Sequence, residues 1–443
     1  MTYQDLAGKK IAILGLGIEN YALIKFLFDK KVACDVTICD RQDRVALTDK
    51  YQALKGQPQI KWQLGKNYDA HLSHFDLVVR APGYPLFSKA LKKLGNQTIL
   101  TSPINLFYTW CPSNKIIGVT GTKGKGTTAS LIHYIFKTAK LRSHLGGNIG
   151  VAPFGFLDKI KPRDWVVLEL SSFQLQDSMF SPHIAVITNF FSEHLKPVDP
   201  HNPNYHHRLR DYWEAKVRLC RWQNKGDYLV VNKNLRPQIS KLPLASKIIY
   251  FSHADFLSRL PGQHNKENVA AAAAVCKLAK VPLPLLERGI ARFPGLEHRL
   301  ELVAKIKGAA YYNDSFATIP ESCIVAIKAF AKPLLLIAGG ADKGSDFRLL
   351  GKIIAKHQVK YLLLLKGKAT PRLKAAALQA GYPSARLKEF GNLKTAVTTA
   401  TNLAKPGNVI LLSPACASFG MFANYKQRGA EFKSLVKNKT RRG

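Results

Sequence analysis

Residues 118–128, GVTGTKGKGTT, set lysines and threonines in a glycine loop that follows an apolar run and precedes a helical one. That order brings successive backbone N–H groups, a helix N-terminus and an ammonium to face a single anion. Gly121 and Gly124 let the main chain approach a phosphate closely, and Lys125 reaches toward the β- and γ-phosphates of a triphosphate. The loop is shorter than the full Walker spacing. Gly126 also stands where a Ser or Thr usually meets Mg²⁺, so Thr127 is the expected ligand. Gly121, Thr122, Lys123, Gly124, Lys125, Gly126, Thr127 and Thr128 together form the expected ATP contact. The bland alternative is an ordinary glycine turn.

Three further segments carry usable groups. LELSSFQL (168–175) ends an apolar run with Glu169, at the strand edge where a Mg²⁺ ligand belongs. His194, in TNFFSEHLKPVD (188–199), suits metal or phosphate, although a lone histidine is also a common structural residue. Asn265 and Asn268 lie three apart in GQHNKENVAAAAA and share one helical face, fit for an adenine, a ribose or a helix cap.

The elements that position these groups follow one pattern: a short apolar run, a glycine or polar turn, then a helical stretch. It predicts parallel α/β layers. Expected strands are 11–17, 36–40, 76–83, 165–170, 184–190, 228–232, 248–252, 333–340, 361–367 and 409–415, with another opening 115–136. The alanine run Val269–Val275 predicts helix. At about 150 residues per domain, 443 residues predict three domains, with boundaries near Cys111–Pro112 and Pro294–Gly295.

Composition narrows the class. With 46% hydrophobic and 21% charged residues the chain is globular, and no apolar run approaches a membrane span. Seven scattered cysteines without a CxxC pair argue against a disulfide framework and for a reducing, cytoplasmic setting. The net charge of +37 invites comparison with nucleic-acid binders, but the lysines are spread along the chain, so general surface chemistry is expected. The basic tail 433–442 reads as a frayed end.

GTKGKGTT, LELSSFQL, the asparagine–histidine stretch, GQHNKENVAAAA, GLEHRLE (295–301), NDSFAT (313–318), GGADKGSDF (339–347) and LLSPACASFGMFANYKQRGAEF (411–432) occur in that order. Together they resemble the Mur ligase family, with the last block pointing to its D-glutamate-adding branch. The resemblance covers nearly the whole chain and is weakest over 1–112.

It implies an α/β enzyme of three domains: 1–112 Rossmann-like for a UDP-sugar, 113–295 P-loop-like for ATP, and 296–443 Rossmann-like for the incoming amino acid. It also implies a cytoplasmic monomer in peptidoglycan precursor synthesis that closes around its substrates. The implied reaction phosphorylates the carboxylate of UDP-N-acetylmuramoyl-L-alanine and captures the acyl phosphate with the amine of glutamate. Two Mg²⁺ ions are implied, one held by Thr127 and Glu169, the other by His194 and a carbamylated Lys216. Taken alone, Lys216 reads as a surface lysine. Lys125, His194 and Lys216 match the catalytic positions, and Asn265, Asn268, Arg299 and Asp314 match nucleotide contacts. Gly17, Ile18, Asp40, Arg41, Asn148 and Ser171 match the UDP-sugar site, and Thr318, Lys343, Ser418 and Tyr425 the glutamate site.

Some positions depart from the family pattern. Phe316 stands where lysine is common, Gly420 for aspartate, Tyr425 for phenylalanine, Glu193 and Lys196 for aspartates, and Lys123 for asparagine. These leave D- against L-glutamate open. Folylpolyglutamate synthase shares a GKG-type loop, but lacks the asparagine helix and the SPACAS block. A dehydrogenase reading of Gly15-Leu-Gly17 with Asp40 leaves Lys125 and Glu169 without a task. A nucleic-acid-dependent ATPase predicts clustered basic and aromatic residues, where the sequence scatters them.

Overall fold

The computed structural model describes residues 1–193, 195, 203–342 and 344–440. His194, Lys196 and Lys343, singled out above, lie outside them. Two compact units form, one from residues 1–255 with 267–290, the other from 256–266 with 291–443.

The first unit holds two sheets. One is built from β1 (Lys10–Leu14), β2 (Asp35–Asp40), β3 (Ile60–Leu64), β4 (Leu77–Arg80) and β5 (Ile99–Thr101), in the order β3-β2-β1-β4-β5. The other contains β6 (Ile116–Thr120), β7 (Ser143–Gly147), β8 (Trp165–Glu169), β9 (Ile184–Ile187), β10 (Tyr228–Asn232) and β11 (Lys247–Phe251), in the order β11-β10-β9-β6-β8-β7. Every pairing in both is parallel. Helices cover both faces of such sheets, so central strands bury every residue: all five positions of IIGVT in β6 and of WVVLE in β8 are buried.

One continuous core runs through both sheets of this unit, from Ile11 and Val36 to Val166 and Leu229. Phe154 joins them, its ring 5.4 Å from Phe26 and 6.2 Å from Phe107. An ion pair reinforces the join: Arg80, fully buried at the end of β4, donates to Asp177 at 2.7 Å and to the Phe173 carbonyl at 3.0 Å.

The second unit holds β12 (Glu301–Ile306), β13 (Ala309–Asn313), β14 (Leu334–Ala338), β15 (Val359–Leu365), β16 (Leu387–Phe390) and β17 (Val409–Leu412), ordered β12-β13-β17-β14-β15-β16. Among the strands of the described residues only the β12–β13 pair is antiparallel. The expected α/β architecture of mostly parallel sheets is therefore what the chain forms. The frayed tail is not: Tyr425–Thr440 is a helix. Phe432 and Val436 bury its apolar face, and Lys433 bonds Glu297 and Glu301, which holds the basic segment down.

Candidate active site

The 118–128 motif forms the expected strand, loop and helix: β6 ends at Thr120 and a helix runs Lys125–Thr138. The loop's shape depends on its two glycines. A Cβ on Gly121 (φ +146°) would overlap the Thr188 hydroxyl, and one on Gly124 (φ +83°) would lie 2.1 Å from Asn268 Oδ1. Thr188 Oγ1 donates to the Lys123 carbonyl at 2.6 Å. Asn189 holds the same residue by accepting from Lys123 N at 2.8 Å and donating to its carbonyl at 3.1 Å. The loop after β9 thus fixes the loop after β6. Asn268, in the Gln263–Leu278 helix, backs it from the other side, with Thr128 Oγ1 3.4 Å from Asn268 Oδ1.

Two lysines converge on the loop. Lys125 Nζ donates to the carbonyls of Gly121 (3.1 Å) and Thr122 (3.0 Å). Lys216 Nζ donates to the Gly121 carbonyl at 2.7 Å and lies 4.4 Å from the Tyr212 ring centroid. It is no surface lysine, being 1% exposed. The Leu209–Arg221 helix that carries it packs tightly because Gly118 has no side chain: a Cβ there would meet Leu219 at 2.7 Å. Burial and the neighbouring Lys125 charge lower the Lys216 pKa well below that of an ordinary amine, against the pull of Glu193 and Glu169. Lys123 pairs instead with Glu193 at 2.5 Å.

Glu169 ends β8 only 5% exposed, and its carboxylate accepts no hydrogen bond from the described residues. The Thr127 hydroxyl likewise has no partner among them. A buried carboxylate and a hydroxyl beside a phosphate loop are hard oxygen donors of the kind Mg²⁺ takes, so these residues fit that ion. Among the described residues no three His, Cys, Asp or Glu side chains converge to hold a metal, so phosphate and water oxygens would complete its shell.

The residues expected to meet a UDP-sugar also come together, at the carboxyl ends of β1 and β4, where the strand order reverses. Gly17, Asp40 and Arg41 line a cavity of about 320 Å³. Gly17, Ile18, Asn148 and Ser171 line an adjoining one of about 260 Å³. Asp40 accepts from Leu16 N (2.6 Å) and Gln42 N (2.8 Å), which shapes the turn. Two residues here were not among the expected site residues. Lys50 donates to the Leu16 carbonyl at 2.7 Å, and Glu19 accepts from Gln174, whose amide oxygen accepts from Ser171 N. Burial lifts the Glu19 pKa to about 7.

In the second unit, Ser418 lines a cavity of about 720 Å³ at the carboxyl ends of β14, β15 and β17, with Lys366, Lys368 and Arg428. Thr318 and Tyr425 do not line it. Tyr425 sits edge-on to Phe316 at 5.0 Å, and the Arg299 guanidinium lies 3.9 Å from the Phe316 centroid. Asp314 is buried, accepting from Ser413 Oγ (2.8 Å) and Leu300 N (3.2 Å). Asn265 belongs to this unit too, donating to the Pro261 carbonyl at 2.7 Å. Arg428 was not expected from sequence, since an arginine in a basic, helical segment reads as solvated.

Family profiles match the chain in three consecutive stretches: a Mur ligase MurD-like N-terminal domain over 9–101, a Mur ligase middle domain over 119–256, and a Mur ligase glutamate ligase domain over 298–416. The UDP-N-acetylmuramoylalanine–D-glutamate ligase of Symbiobacterium thermophilum is 36% identical over 97% of this chain and 99% of its own. The chain belongs to the Mur ligase family. A Mur ligase of the same description from Acetivibrio thermocellus is 34% identical over 98% of this chain and 97% of its own. Solved Mur ligase structures share the fold at lower identity. The UDP-N-acetylmuramate-alanine ligase MurC of Thermotoga maritima superimposes with a TM-score of 0.58 at 15% identity, covering 97% of this chain and all of that one. The MurF ligase of the same organism, in complex with ADP, gives 0.58 at 13% identity, covering 99% and 97%. Among the described residues no helix is long and apolar enough to cross a membrane.

Proposed function

We infer that this Mur ligase is an ATP-dependent amide-bond ligase joining D-glutamate to UDP-N-acetylmuramoyl-L-alanine, a step in peptidoglycan precursor synthesis. The observation that carries this reading is the loop after β6, pinned by Asn189 and Asn268, with Lys125 and Lys216 bonded to it and the Glu169 carboxylate close enough to act on Lys216. The relatives that carry this activity in their names match over nearly the full length of both chains.

In this reading 1–112 receives the UDP-sugar, 113–295 ATP and 296–443 glutamate, in a cytoplasmic monomer. The loop amides and Lys125 neutralise the triphosphate while the substrate carboxylate attacks the γ-phosphorus and ADP leaves. Lys125 then stays with the charge that develops on the transferred phosphoryl oxygens. Thr127 and Glu169 would hold Mg²⁺, which when bound would offset negative charge between the two anions. The neutral Lys216 amine would add CO₂ and release a proton to give a carbamate, which with His194 would hold a second ion. An ammonium at that position would oppose a metal, so a lysine already inclined to lose its proton suits the role.

The acyl phosphate so formed presents an electrophilic carbon. The glutamate amine adds to it, the bond from carbon to the phosphate oxygen breaks, phosphate departs and the new amide nitrogen loses a proton. Ser418 and Lys343 orient the amino acid, and Gly17, Asp40, Arg41, Asn148 and Ser171 the UDP-sugar. Purified protein should release phosphate from ATP only when both UDP-N-acetylmuramoyl-L-alanine and D-glutamate are present. Release driven by DNA, or independent of the UDP-sugar, would overturn the reading.

A further inference from the structure

Arg428 lies in the wall of the 720 Å³ cavity of the second unit, only 1% exposed. Its nitrogens all donate to neutral oxygens: Nε to Ser315 Oγ (3.0 Å), Nη2 to the Ser315 carbonyl (2.9 Å) and Nη1 to the Cys416 carbonyl (3.2 Å). No carboxylate among the described residues pairs with it. The nearby acid in the cavity wall, Asp342, is held by Arg372 at 2.7 Å. Lys366 and Lys368 line the same cavity and add charge of the same sign.

A cation taken out of water without a counter-charge is unfavourable, and a hydrophobic residue of similar volume fills such a place more stably. Burial pulls the guanidinium pKa to about 10, which still leaves it charged at neutral pH. The fold therefore keeps a fixed positive charge beside an open cavity. The hydrogen bonds also connect what surrounds it. Ser315 follows β13, Cys416 follows β17 two residues before Ser418, and Ser315 Oγ donates to the Tyr425 carbonyl at 2.8 Å. One side chain thus ties together three segments at the carboxyl end of this sheet.

We propose that Arg428 determines the specificity for a dicarboxylic amino acid: it supplies the fixed charge that the substrate's carboxylate neutralises and holds the Cys416–Ser418 segment in position to receive it. This rests on the ligase reading above and adds the residue and the reason for an acidic substrate. Arg428 acts through the field it sets and the loop it holds, so it is a positioning residue.

The test compares steady-state kinetics of the full chain with those of Arg428→Met and Arg428→Lys, alongside thermal unfolding. Arg428→Met should raise the KM for D-glutamate at least 50-fold while the KM values for ATP and UDP-N-acetylmuramoyl-L-alanine stay within twofold. Arg428→Lys, which keeps the charge but not the forked contacts, should recover part of that loss, leaving KM for D-glutamate 3- to 20-fold above the parent with kcat within threefold. A glutamate KM within twofold of the parent in either folded variant, or equal rises for all three substrates, would overturn the proposal. Should the methionine variant fail to fold, the lysine variant decides by the same criterion. Parent protein whose phosphate release ignores every amino acid would instead refute the ligase reading, a result visible before any variant is made.

Discussion

Lys216 Nζ donates to the carbonyl of Gly121 at 2.7 Å, tying the Leu209–Arg221 helix to the loop expected to hold a triphosphate. The same buried amine is pushed toward its neutral form, the form that adds CO₂. Protein equilibrated with ¹³C-bicarbonate at pH 8 should show a carbamate carbon signal by NMR that Lys216→Ala lacks, with activity falling at least 100-fold in the variant. Identical spectra for the two proteins would exclude the carbamate.

Lys125 donates to the loop carbonyls of Gly121 and Thr122 and carries the charge the chemistry needs. Lys125→Ala should lower kcat by about 10²–10³-fold, in line with losing one charge-stabilising donor, with a melting temperature unchanged within a few degrees. Turnover within fivefold of the parent would remove Lys125 from the mechanism.

Gly124 has φ +83° and no room for a methyl group, since a Cβ would press on Asn268 Oδ1 at 2.1 Å. Gly124→Ala should cost about 1–3 kcal/mol of stability from backbone strain alone and raise the KM for ATP at least tenfold. Denaturant titration and ATP kinetics check both, and a parent-like KM would show that the loop tolerates a different shape.

Much of this geometry was legible in the sequence. Central strands such as β14, LLLIA, are buried on both faces and so read as uninterrupted apolar runs. Strands without an apolar run did not stand out: β16 is LKEF with two exposed positions, β5 has three residues, and β7 ends in two glycines. The phosphate loop was readable because glycine at positive φ and a lysine before a helix have few other uses. Arg428, Lys50 and the burial of Lys216 were not. A cation's partners there are backbone carbonyls distant in sequence, and nothing in the neighbouring residues encodes them.

Burial raises the Asp314 carboxyl to about 7, against the hydrogen bonds from Ser413 and Leu300 and the charge of Arg299. Between the ordinary carboxyl pKa near 4 and this value, the folded chain keeps a proton that the unfolded chain has released. The group's contribution to stability is therefore full below about pH 4 and declines as pH rises toward 7. Asp314→Asn removes that dependence, so its stability relative to the parent should improve by about 1.4 kcal/mol per pH unit across the window and level off above it. Urea unfolding at pH 5, 6 and 7 gives the slope, and a difference independent of pH would show that Asp314 is ionised in the fold.

The central claim is that the loop from Gly121 to Thr128 grips a triphosphate. The direct test is a crystal structure with a non-hydrolysable ATP analogue and Mg²⁺. The β- and γ-phosphate oxygens should lie within hydrogen-bond distance of the loop amides and of Lys125 Nζ, with the ion bound to Thr127 and Glu169. A nucleotide bound elsewhere, with this loop holding no anion, would contradict the account.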